Sequence, residues 1–264
     1  MSEDFKTNKV YNQDCIETMQ SMPDDFVDLT VTSPPYDNLR TYNGYEFDVG
    51  RVIKNLYRVT KEGGVVVWVV GDATIGGSET GTSFKQALSF MNHGFLLHDT
   101  MIYMKDNPPP TGGSTRYYQA FEYMFVFCKG RPKTFNPIIE PRRNKYNDKR
   151  TVRIRPVTRN KDGGFQNKMV FVQDEVKIQN VWSYTVSGGS MSEDKIAHKH
   201  PAIFPESLVR DHIISWSNEG ELVYDPFIGS GTTAVVAKRL KRNFAGSEIS
   251  KEYHDIFMSR SRYA

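Results

Sequence analysis

Two short segments of the chain carry residue types suited to group transfer. Residues 32–36 read Thr-Ser-Pro-Pro-Tyr and follow an apolar run at residues 27–31. Residues 225–233 read Asp-Pro-Phe-Ile-Gly-Ser-Gly-Thr-Thr and stand between a strand-like run and a helix-like run. The first segment is suited to hold a planar amine, and the second is suited to hold a cofactor. Together they indicate group transfer to a nucleobase.

The first segment has the residues needed to activate an exocyclic amine. Such an amine is a poor nucleophile because its lone pair is delocalised into the ring. The Ser33 hydroxyl and the Pro34 carbonyl can each accept one of its N–H bonds, and Pro35 stiffens the loop. The Tyr36 ring would stack on a base that has left its duplex. In isolation Ser-Pro-Pro-Tyr is most often a rigid turn, so this interpretation depends on the second segment.

The second segment is typical of a loop that binds the anionic end of a nucleoside-containing cofactor. Gly229 and Gly231 allow backbone N–H groups to approach an anion at a helix N-terminus, and Thr232 and Thr233 add hydroxyl donors. Glu248 ends the next strand-like run, where an acid commonly receives ribose hydroxyls. The segment lacks G-x-G-x-x-G and the Walker lysine, which argues against a dinucleotide or a nucleoside triphosphate.

With these two segments, the chain resembles the S-adenosylmethionine-dependent DNA amino-methyltransferases. Residues 225–233 are similar to their cofactor motif, and residues 32–36 are similar to their catalytic motif. The resemblance extends to residues 200–205, 12–15 and 63–72 and leaves the basic stretch in the middle of the chain unmatched. The catalytic motif precedes the cofactor motif, which is the circularly permuted order of the β group of that family.

The resemblance implies S-adenosyl-L-methionine as the cofactor, no metal, and specific roles for the matching residues. The residues that it makes catalytic are Ser33, Pro34, Pro35 and Tyr36. The residues that it makes cofactor-binding are Asp14, Cys15, Ile16, His200, Pro201, Asp225, Pro226, Phe227, Gly229, Ser230, Gly231, Thr232, Thr233 and Glu248. Asp14 would accept from the adenine amino group, although a loop Asp of this kind is usually a turn or cap residue.

Ser33 bears on which base would be modified. In the family, Ser at this position goes mainly with the N4 amine of cytosine, whereas Asp or Asn goes more often with the N6 amine of adenine. We therefore expect a site-specific DNA methyltransferase that acts on N4 of a flipped cytosine, within a restriction-modification system. Methylation of adenine N6 is the alternative.

Strand-like and helix-like runs alternate, which predicts an α/β fold with a mostly parallel sheet covered on both faces. The resemblance implies that this is a doubly wound, Rossmann-like methyltransferase sheet with an inserted region. Predicted strands lie at residues 27–31, 65–70, 96–104, 121–128, 221–225 and 243–248. Predicted helices lie at residues 47–60, 205–216, 232–241 and 250–258.

Two glycine signals set helix ends in this scheme. The Gly63-Gly64 pair is predicted to end the first of those helices. A further helix places Phe84, Ala87, Leu88 and Met91 on its apolar face and ends at Gly94.

The middle of the chain is polar and basic. Nine of the residues at 141–161 are Lys or Arg, and only Asp148 is acidic. We expect residues 1–130 to form the catalytic half, residues 131–195 an inserted target-recognition region, and residues 196–264 the cofactor-binding half. Candidate DNA contacts are Arg40, Arg142, Arg143, Lys145, Arg150, Arg153 and Arg155. A solvated basic loop would explain the same composition.

Composition favours a soluble cytoplasmic protein. The 264 residues are 38% hydrophobic, with no apolar run long enough for a bilayer and no apolar signal segment at the start. Cys15 and Cys128 lack metal-ligand spacing, so we expect both to be reduced and structural. The expected partners are double-stranded DNA and, functionally, a cognate restriction endonuclease, with the protein acting as a monomer or a homodimer.

Two rival functions use the same residues. An amine clamp of the Pro-Pro-Tyr type also occurs in enzymes that methylate RNA or protein amides, but those usually place the cofactor motif before the clamp. A non-catalytic DNA-binding module could keep the fold. The intact Ser33, Tyr36, Gly229 and Gly231 argue against that alternative.

Overall fold

A computed structural model describes residues 5–35, 48–108, 110, 115–141, 153–159, 165–170, 175–186, 191–192, 194–200 and 203–260. The strands are β1 (Lys9–Tyr11), β2 (Val27–Thr32), β3 (Thr60–Val70), β4 (Thr74–Ile75), β5 (Ser78–Glu79), β6 (Leu96–Lys105), β7 (Phe121–Cys128), β8 (Ile139–Pro141), β9 (Arg153–Arg159), β10 (Phe165–Val170), β11 (Glu175–Lys177), β12 (Val181–Tyr184), β13 (Leu222–Asp225) and β14 (Asn243–Ser247). The α-helices are α1 (Cys15–Gln20), α2 (Val49–Val59), α3 (Thr82–Asn92), α4 (Glu206–Trp216), α5 (Thr232–Arg239) and α6 (Lys251–Arg260), and a 3-10 helix covers Lys195–Lys199.

One eight-stranded sheet organises the larger unit of the chain, in the order β1-β14-β13-β2-β3-β7-β6-β12. Only β7 runs antiparallel to its two neighbours, β3 and β6. The predicted α/β fold with a mostly parallel sheet is therefore confirmed. Because β2 pairs with β13, the strands that lead into the two sequence motifs are neighbours.

Helices cover both faces of this sheet, which explains why the central strands are apolar on both sides. Helices α1, α2 and α3 pack together over one face, and α4 and α5 pack over the other. All residues from Val65 to Val70 in β3 are at most 1% exposed. Trp68 lies at the centre of the first layer, against Phe90 at a ring-centroid distance of 4.9 Å.

The start of β3 differs from the sequence prediction. Helix α2 ends at Val59, and the strand begins at once with Thr60, so Gly63 and Gly64 lie inside β3. The prediction that this pair ends the helix is wrong. Gly63 has a φ of +79° next to a register shift between β2 and β3, so the glycine pair serves an irregularity in the strand rather than a helix end.

Helix α3 forms as predicted and Gly94 follows its end with a φ of +102°, but of the four residues predicted for its apolar face only Ala87 is buried. Phe84, Leu88 and Met91 are 52%, 59% and 47% exposed. The buried side instead carries Phe90 and the polar Gln86. Gln86 is turned inward because its Oε1 accepts from the buried Trp68 indole N–H at 2.7 Å, which must find an acceptor.

A second compact unit comprises Pro137–Gln179. Within it β9 pairs with β10 and β8 pairs with β11, both antiparallel. Residues 131–136 and 180–195, which the sequence placed in the insert, fall in the larger unit, where β12 adds an edge strand beside β6. In the part of the chain that the structure describes, no helix is long and apolar enough to cross a membrane.

The exposed and buried sides of α3 make a direct stability test. We expect Phe90→Ala to lower the free energy of unfolding by ~3–5 kcal/mol, because it removes a fully buried ring. Leu88→Ala should change it by less than ~0.5 kcal/mol, because that side chain stands mostly in solvent. Urea unfolding followed by circular dichroism measures both. Equal losses in the two variants would show that the apolar face of α3 is covered.

Candidate active site

The two sequence motifs meet at the carboxyl edge of the sheet, where β2 ends at Thr32 and β13 ends at Asp225. The Thr32 Oγ1 donates to Asp225 Oδ1 at 2.6 Å across 193 positions of sequence. The Thr233 Oγ1, in the first turn of α5, donates to Asp225 Oδ2 at 2.7 Å. One buried carboxylate therefore joins the end of β2 to the first turn of α5. Residues 225–233, which contain this carboxylate, are called the cofactor loop below because of the role that the sequence predicts for them.

Asp225 is a positioning residue in this arrangement. Burial raises the pKa of its carboxyl from 3.8 to about 6, while hydrogen bonds from Thr32, Thr233 and the Phe227 N–H act in the opposite direction. The Phe227 N–H donates to Oδ1 at 3.0 Å. Both oxygens thus already have partners within the protein, and the group fixes the course of the loop.

Two glycines give the cofactor loop its shape. Gly229 and Gly231 have φ values of +54° and +84°, in the left-handed region that favours glycine. A Cβ on Gly231 would lie 2.1 Å from the Phe257 Cδ2, and one on Gly229 would lie 3.0 Å from the His200 Nε2. The structure therefore brings His200, a predicted cofactor residue, against the loop, where its ring also contacts Tyr253 at a centroid distance of 4.3 Å.

Three backbone N–H groups of this loop already have acceptors within the protein. The Ile228 N–H donates to Ser247 O at 3.0 Å, and the Gly231 N–H donates to Ile228 O at 2.8 Å. The Gly229 N–H donates to Glu248 Oε2 at 3.0 Å. Strand β14, Glu248 and the loop itself supply these acceptors, and the binding of an anion by the loop remains a prediction.

Glu248 lies beside the loop and is only 8% exposed. Its Oε1 accepts from the Ser250 N–H at 2.7 Å, and its Oε2 accepts from Gly229. Burial, with the negative charge of Asp225 adding to it, raises the pKa of this carboxyl from 4.5 to about 7. Two buried acids at one strand edge make the site rich in acceptors, so a ligand that donates hydrogen bonds or carries positive charge would suit it.

The segment after β1 comes to the same edge, since the Asn12 Nδ2 donates to Glu248 O at 2.8 Å. Asp14 is the N-cap of α1, and its Oδ1 accepts from the Ile16 N–H at 2.6 Å. Cys15 and Ile16 are buried in the core beneath it. The capping interpretation of Asp14 is therefore correct, and a contact with adenine remains a prediction.

The remaining predicted residues divide by where they lie. Ser33 and Pro35 are half-buried, Pro34, Pro226 and Ser230 are buried, and Phe227 packs edge-on against Trp68 at 6.2 Å. Arg153 and Arg155 lie in β9, of which only the backbone is described. The predicted site residues that lie outside the described part of the chain are Tyr36, Arg40, Arg142, Arg143, Lys145, Arg150 and Pro201.

Sequence reasoning placed Thr32 in the catalytic motif without giving it a role, and it missed Arg260. Thr32 belongs to the catalytic motif, and its position at the last buried place of an apolar strand was a usable signal for an inward hydrogen bond. Arg260 lies in a polar helix and gives no such signal, although its guanidinium reaches the cofactor loop.

Burial of the two cysteines sets their chemistry, and a contact of Cys15 with the cofactor remains a prediction. Cys15 and Cys128 are buried and free, and burial raises the pKa of each thiol to about 12. Both are therefore protonated and unreactive near neutral pH. Among the residues that the structure describes, no group of three or more His, Cys, Asp or Glu side chains is arranged to hold a metal ion.

A cavity of about 880 Å³ lies at a different place, beside edge strand β1 and between α5 and α6. Its walls include Tyr11, Val235, Lys238 and Phe257, and they do not include Ser33, Asp225 or Glu248. The candidate site is therefore the strand edge and not this cavity.

Comparisons with known proteins agree with this geometry. The N6/N4 methyltransferase family, described as DNA methylase, matches residues 27–259. Orphan methyltransferase M.BamHII of Bacillus amyloliquefaciens is 52% identical over 243 residues, which is 91% of each chain. The structure of the cytosine-N4-specific PvuII DNA methyltransferase aligns with a TM-score of 0.69 at 20% identity over 97% of this chain and 86% of that one. TTHA0409 of Thermus thermophilus, complexed with S-adenosyl-L-methionine, aligns with a TM-score of 0.62 at 22% identity over 95% and 93%.

The close packing of Gly231 predicts a loss of stability that backbone strain alone would not cause. Gly231→Ala should cost ~1–3 kcal/mol more than Gly220→Ala, because overpacking against Phe257 adds to the strain at positive φ. Gly220 is a matched control, with a φ of +83° and nothing within 4 Å of its hypothetical Cβ. Urea unfolding measures both variants. Equal losses would show that Phe257 yields without cost.

The raised pKa of Glu248 predicts a specific pH dependence of stability. A group whose pKa is higher in the folded state contributes stability below its unfolded pKa and loses it as pH rises through the folded value. The window here runs from 4.5 to about 7. Glu248→Gln should therefore gain ~2 kcal/mol relative to wild type between pH 4.5 and pH 7.5 in urea unfolding. Glu252→Gln, on the exposed side of α6, is the control, and its free energy of unfolding should change with pH as that of the wild type does. The same wild-type pH dependence in Glu248→Gln would show that burial of this carboxyl imposes no penalty.

Proposed function

Because the chain belongs to the N6/N4 DNA methylase family, we propose that it transfers a methyl group from S-adenosyl-L-methionine to the N4 amine of a cytosine flipped out of double-stranded DNA. The family membership makes it a DNA methyltransferase. The observation that supports transfer to an exocyclic amine is the hydrogen bond from Thr32 to Asp225, which sets the proposed amine-binding loop beside the proposed cofactor loop.

The residues present fit S-adenosyl-L-methionine. Asp225 and Glu248 are buried acids whose raised pKa values record the cost of ionising them. Ribose hydroxyls, an adenine amine and an α-ammonium are donors or cations, so they match an acceptor-rich edge. Gly229 and Gly231 have no side chains, so none covers the loop backbone at these two positions. When bound, the cofactor supplies a methyl carbon activated by a sulfonium.

The protein's own contribution is to hold the amine. The Ser33 hydroxyl and the Pro34 carbonyl accept the two N–H bonds and draw the nitrogen lone pair out of conjugation with the ring. Pro35 limits the freedom of the loop, so that the carbonyl keeps its direction. With the amine held in this way, the nitrogen would bond to the methyl carbon as the carbon–sulfur bond breaks, the demethylated thioether would leave and the methylated nitrogen would release one proton to solvent. Most of the rate would come from positioning.

Cytosine N4 is favoured over adenine N6 on two grounds. Ser33 occupies the position that Asp or Asn more often takes in enzymes acting on adenine. The PvuII enzyme, whose fold the chain shares, acts on that cytosine amine. Adenine N6 is the second candidate, because the same clamp of hydroxyl and carbonyl would accept either amine.

We assign target recognition to the unit Pro137–Gln179 with the flanking basic residues. Strands β9 and β10 form a hairpin in which Arg155 lies opposite Lys168 in register. Clustered cations of this kind are suited to DNA phosphates. The similar M.BamHII is an orphan methyltransferase, so methylation in this proposal requires no partner endonuclease.

Replacing Ser33 tests the amine clamp. Ser33→Ala should lower kcat by ~10²–10³-fold, because one acceptor is lost only when the nitrogen is activated. Its Kd for S-adenosyl-L-methionine should stay at the wild-type value, since Ser33 does not belong to the cofactor loop. Incorporation of tritiated methyl groups into DNA measures the rate, and calorimetry measures the Kd. A wild-type rate would contradict the clamp.

Nucleoside analysis of the methylated DNA identifies the base. We expect N4-methylcytosine as the product by mass spectrometry, and N6-methyladenine alone would establish the second candidate. Failure of the wild-type protein to bind labelled S-adenosyl-L-methionine would instead favour a non-catalytic DNA-binding module.

A further inference from the structure

We propose that Arg260, in the last turn of α6, is a positioning residue that holds the cofactor loop in its binding conformation. The inference rests on the proposed function, because it takes residues 225–233 as the cofactor loop. Nothing in the sequence motifs includes Arg260. Its side chain is nevertheless 0% exposed, which is rare for arginine and requires a full set of partners.

One nitrogen of the guanidinium is used entirely by the loop. The Arg260 Nη1 donates to Ser230 O at 2.7 Å, to Ser230 Oγ at 3.2 Å and to Thr232 Oγ1 at 3.3 Å. Ser230 stands between two glycines with positive φ, so the neighbouring residues restrict the backbone conformation there only weakly. The arginine therefore supplies the restriction that the loop sequence lacks.

The other two nitrogens face acidic and hydroxyl groups from the segment that precedes α4 and from Glu206, the first residue of that helix. The Arg260 Nε donates to Asp194 Oδ2 at 3.0 Å. The Nη2 donates to Glu206 Oε1 at 3.1 Å and to Ser192 Oγ at 3.4 Å. Three parts of the chain, the segment before α4, the first residue of α4 and the cofactor loop, thus converge on one planar cation carried by α6.

The contact with Asp194 also connects Arg260 to the segment that carries His200. Asp194 is the N-cap of the 3-10 helix Lys195–Lys199 and accepts from the Ile196 N–H at 2.9 Å. The helix leads directly to His200, whose Nε2 lies against Gly229. Through Asp194 on one side and Ser230 on the other, Arg260 sets the distance between His200 and the loop.

Lysine would not reproduce this geometry. A guanidinium offers five donors in a fixed plane, whereas an ammonium is a compact point charge with three. Arg260→Lys keeps the charge that balances Asp194 and Glu206 but cannot reach the carbonyl of Ser230 and both carboxylates together. This variant separates the position of the loop from the charge of the cluster.

Arg239 provides a matched control. Its Nη1 donates to the other oxygen of Glu206, Oε2, at 2.8 Å, and its side chain is 44% exposed. It is thus a cation of the same cluster that makes no hydrogen bond to the loop. Arg239→Gln removes one cation beside Glu206 and leaves the contacts of Arg260 with Ser230 and Thr232 in place.

The test compares Arg260→Lys, Arg260→Gln and Arg239→Gln with the wild type, each about 20 °C below its own Tm. We expect Arg260→Lys to weaken S-adenosyl-L-methionine binding at least tenfold in calorimetry and Arg260→Gln to weaken it further. KM for the cofactor should rise with kcat little changed for Arg260→Lys, and the Kd for DNA without cofactor should stay at the wild-type value. Arg239→Gln should bind the cofactor within twofold of wild type.

Hydrogen exchange gives a readout that a merely structural role would leave unchanged. Peptides covering residues 225–234 should exchange faster in Arg260→Lys, while those covering the sheet strands stay protected. A lower Tm with wild-type cofactor affinity and unchanged exchange in the loop would overturn the inference and leave the proposed function in place. Absence of cofactor binding by the wild-type protein would overturn the proposed function, and this inference with it. If Arg260→Gln does not fold, Arg260→Lys decides the question.

Discussion

The buried carboxylate of Asp225 is the interaction on which the site depends. It accepts hydroxyl hydrogen bonds from Thr32 and Thr233 and so joins the end of β2 to the beginning of α5. Hydrogen bonds to a buried acid are worth more than their counterparts in water, because no solvent competes for the partners. The same burial raises the pKa of the group, so the protein accepts an electrostatic cost in order to fix the loops.

Around this point the loop is held from two further directions. Glu248 engages the Gly229 N–H from the side of β14, and Arg260 engages Ser230 and Thr232 from α6. The glycines that let the loop take its shape also deprive it of local rigidity. Three charged side chains from different elements supply that rigidity, and this explains why so many ionisable groups are buried at one strand edge.

The central part of the fold could be predicted because it follows from local rules. Residues 65–70 are apolar throughout, and only a strand covered on both faces suits such a run. The buried face of α4, with Leu208, Ile213 and Trp216, follows the period of a helix. The site motifs could be placed at one edge because parallel strands bring their carboxyl ends together.

What could not be predicted depends on pairs that are distant in sequence. The hydrogen bond between Trp68 and Gln86 helps to set which face of α3 is buried. The spacing of apolar residues along the helix does not reveal that face. Two of the acceptors of the loop N–H groups, Ser247 O and Glu248 Oε2, lie far along the chain from the loop, so the sequence alone does not reveal them. Arg260 likewise finds its partners only in the folded chain.

The location of Arg260 in α6 has a consequence for the order in which the protein is made. The catalytic loop, the unit Pro137–Gln179 and the cofactor loop all precede α6 in the chain. A ribosome therefore synthesises each of them before Arg260, the residue that contacts the cofactor loop. During synthesis the nascent chain can form most of its sheet while the cofactor loop still lacks its anchor. In this scheme, competence to bind the methyl donor is acquired only after α6 has folded against the loop.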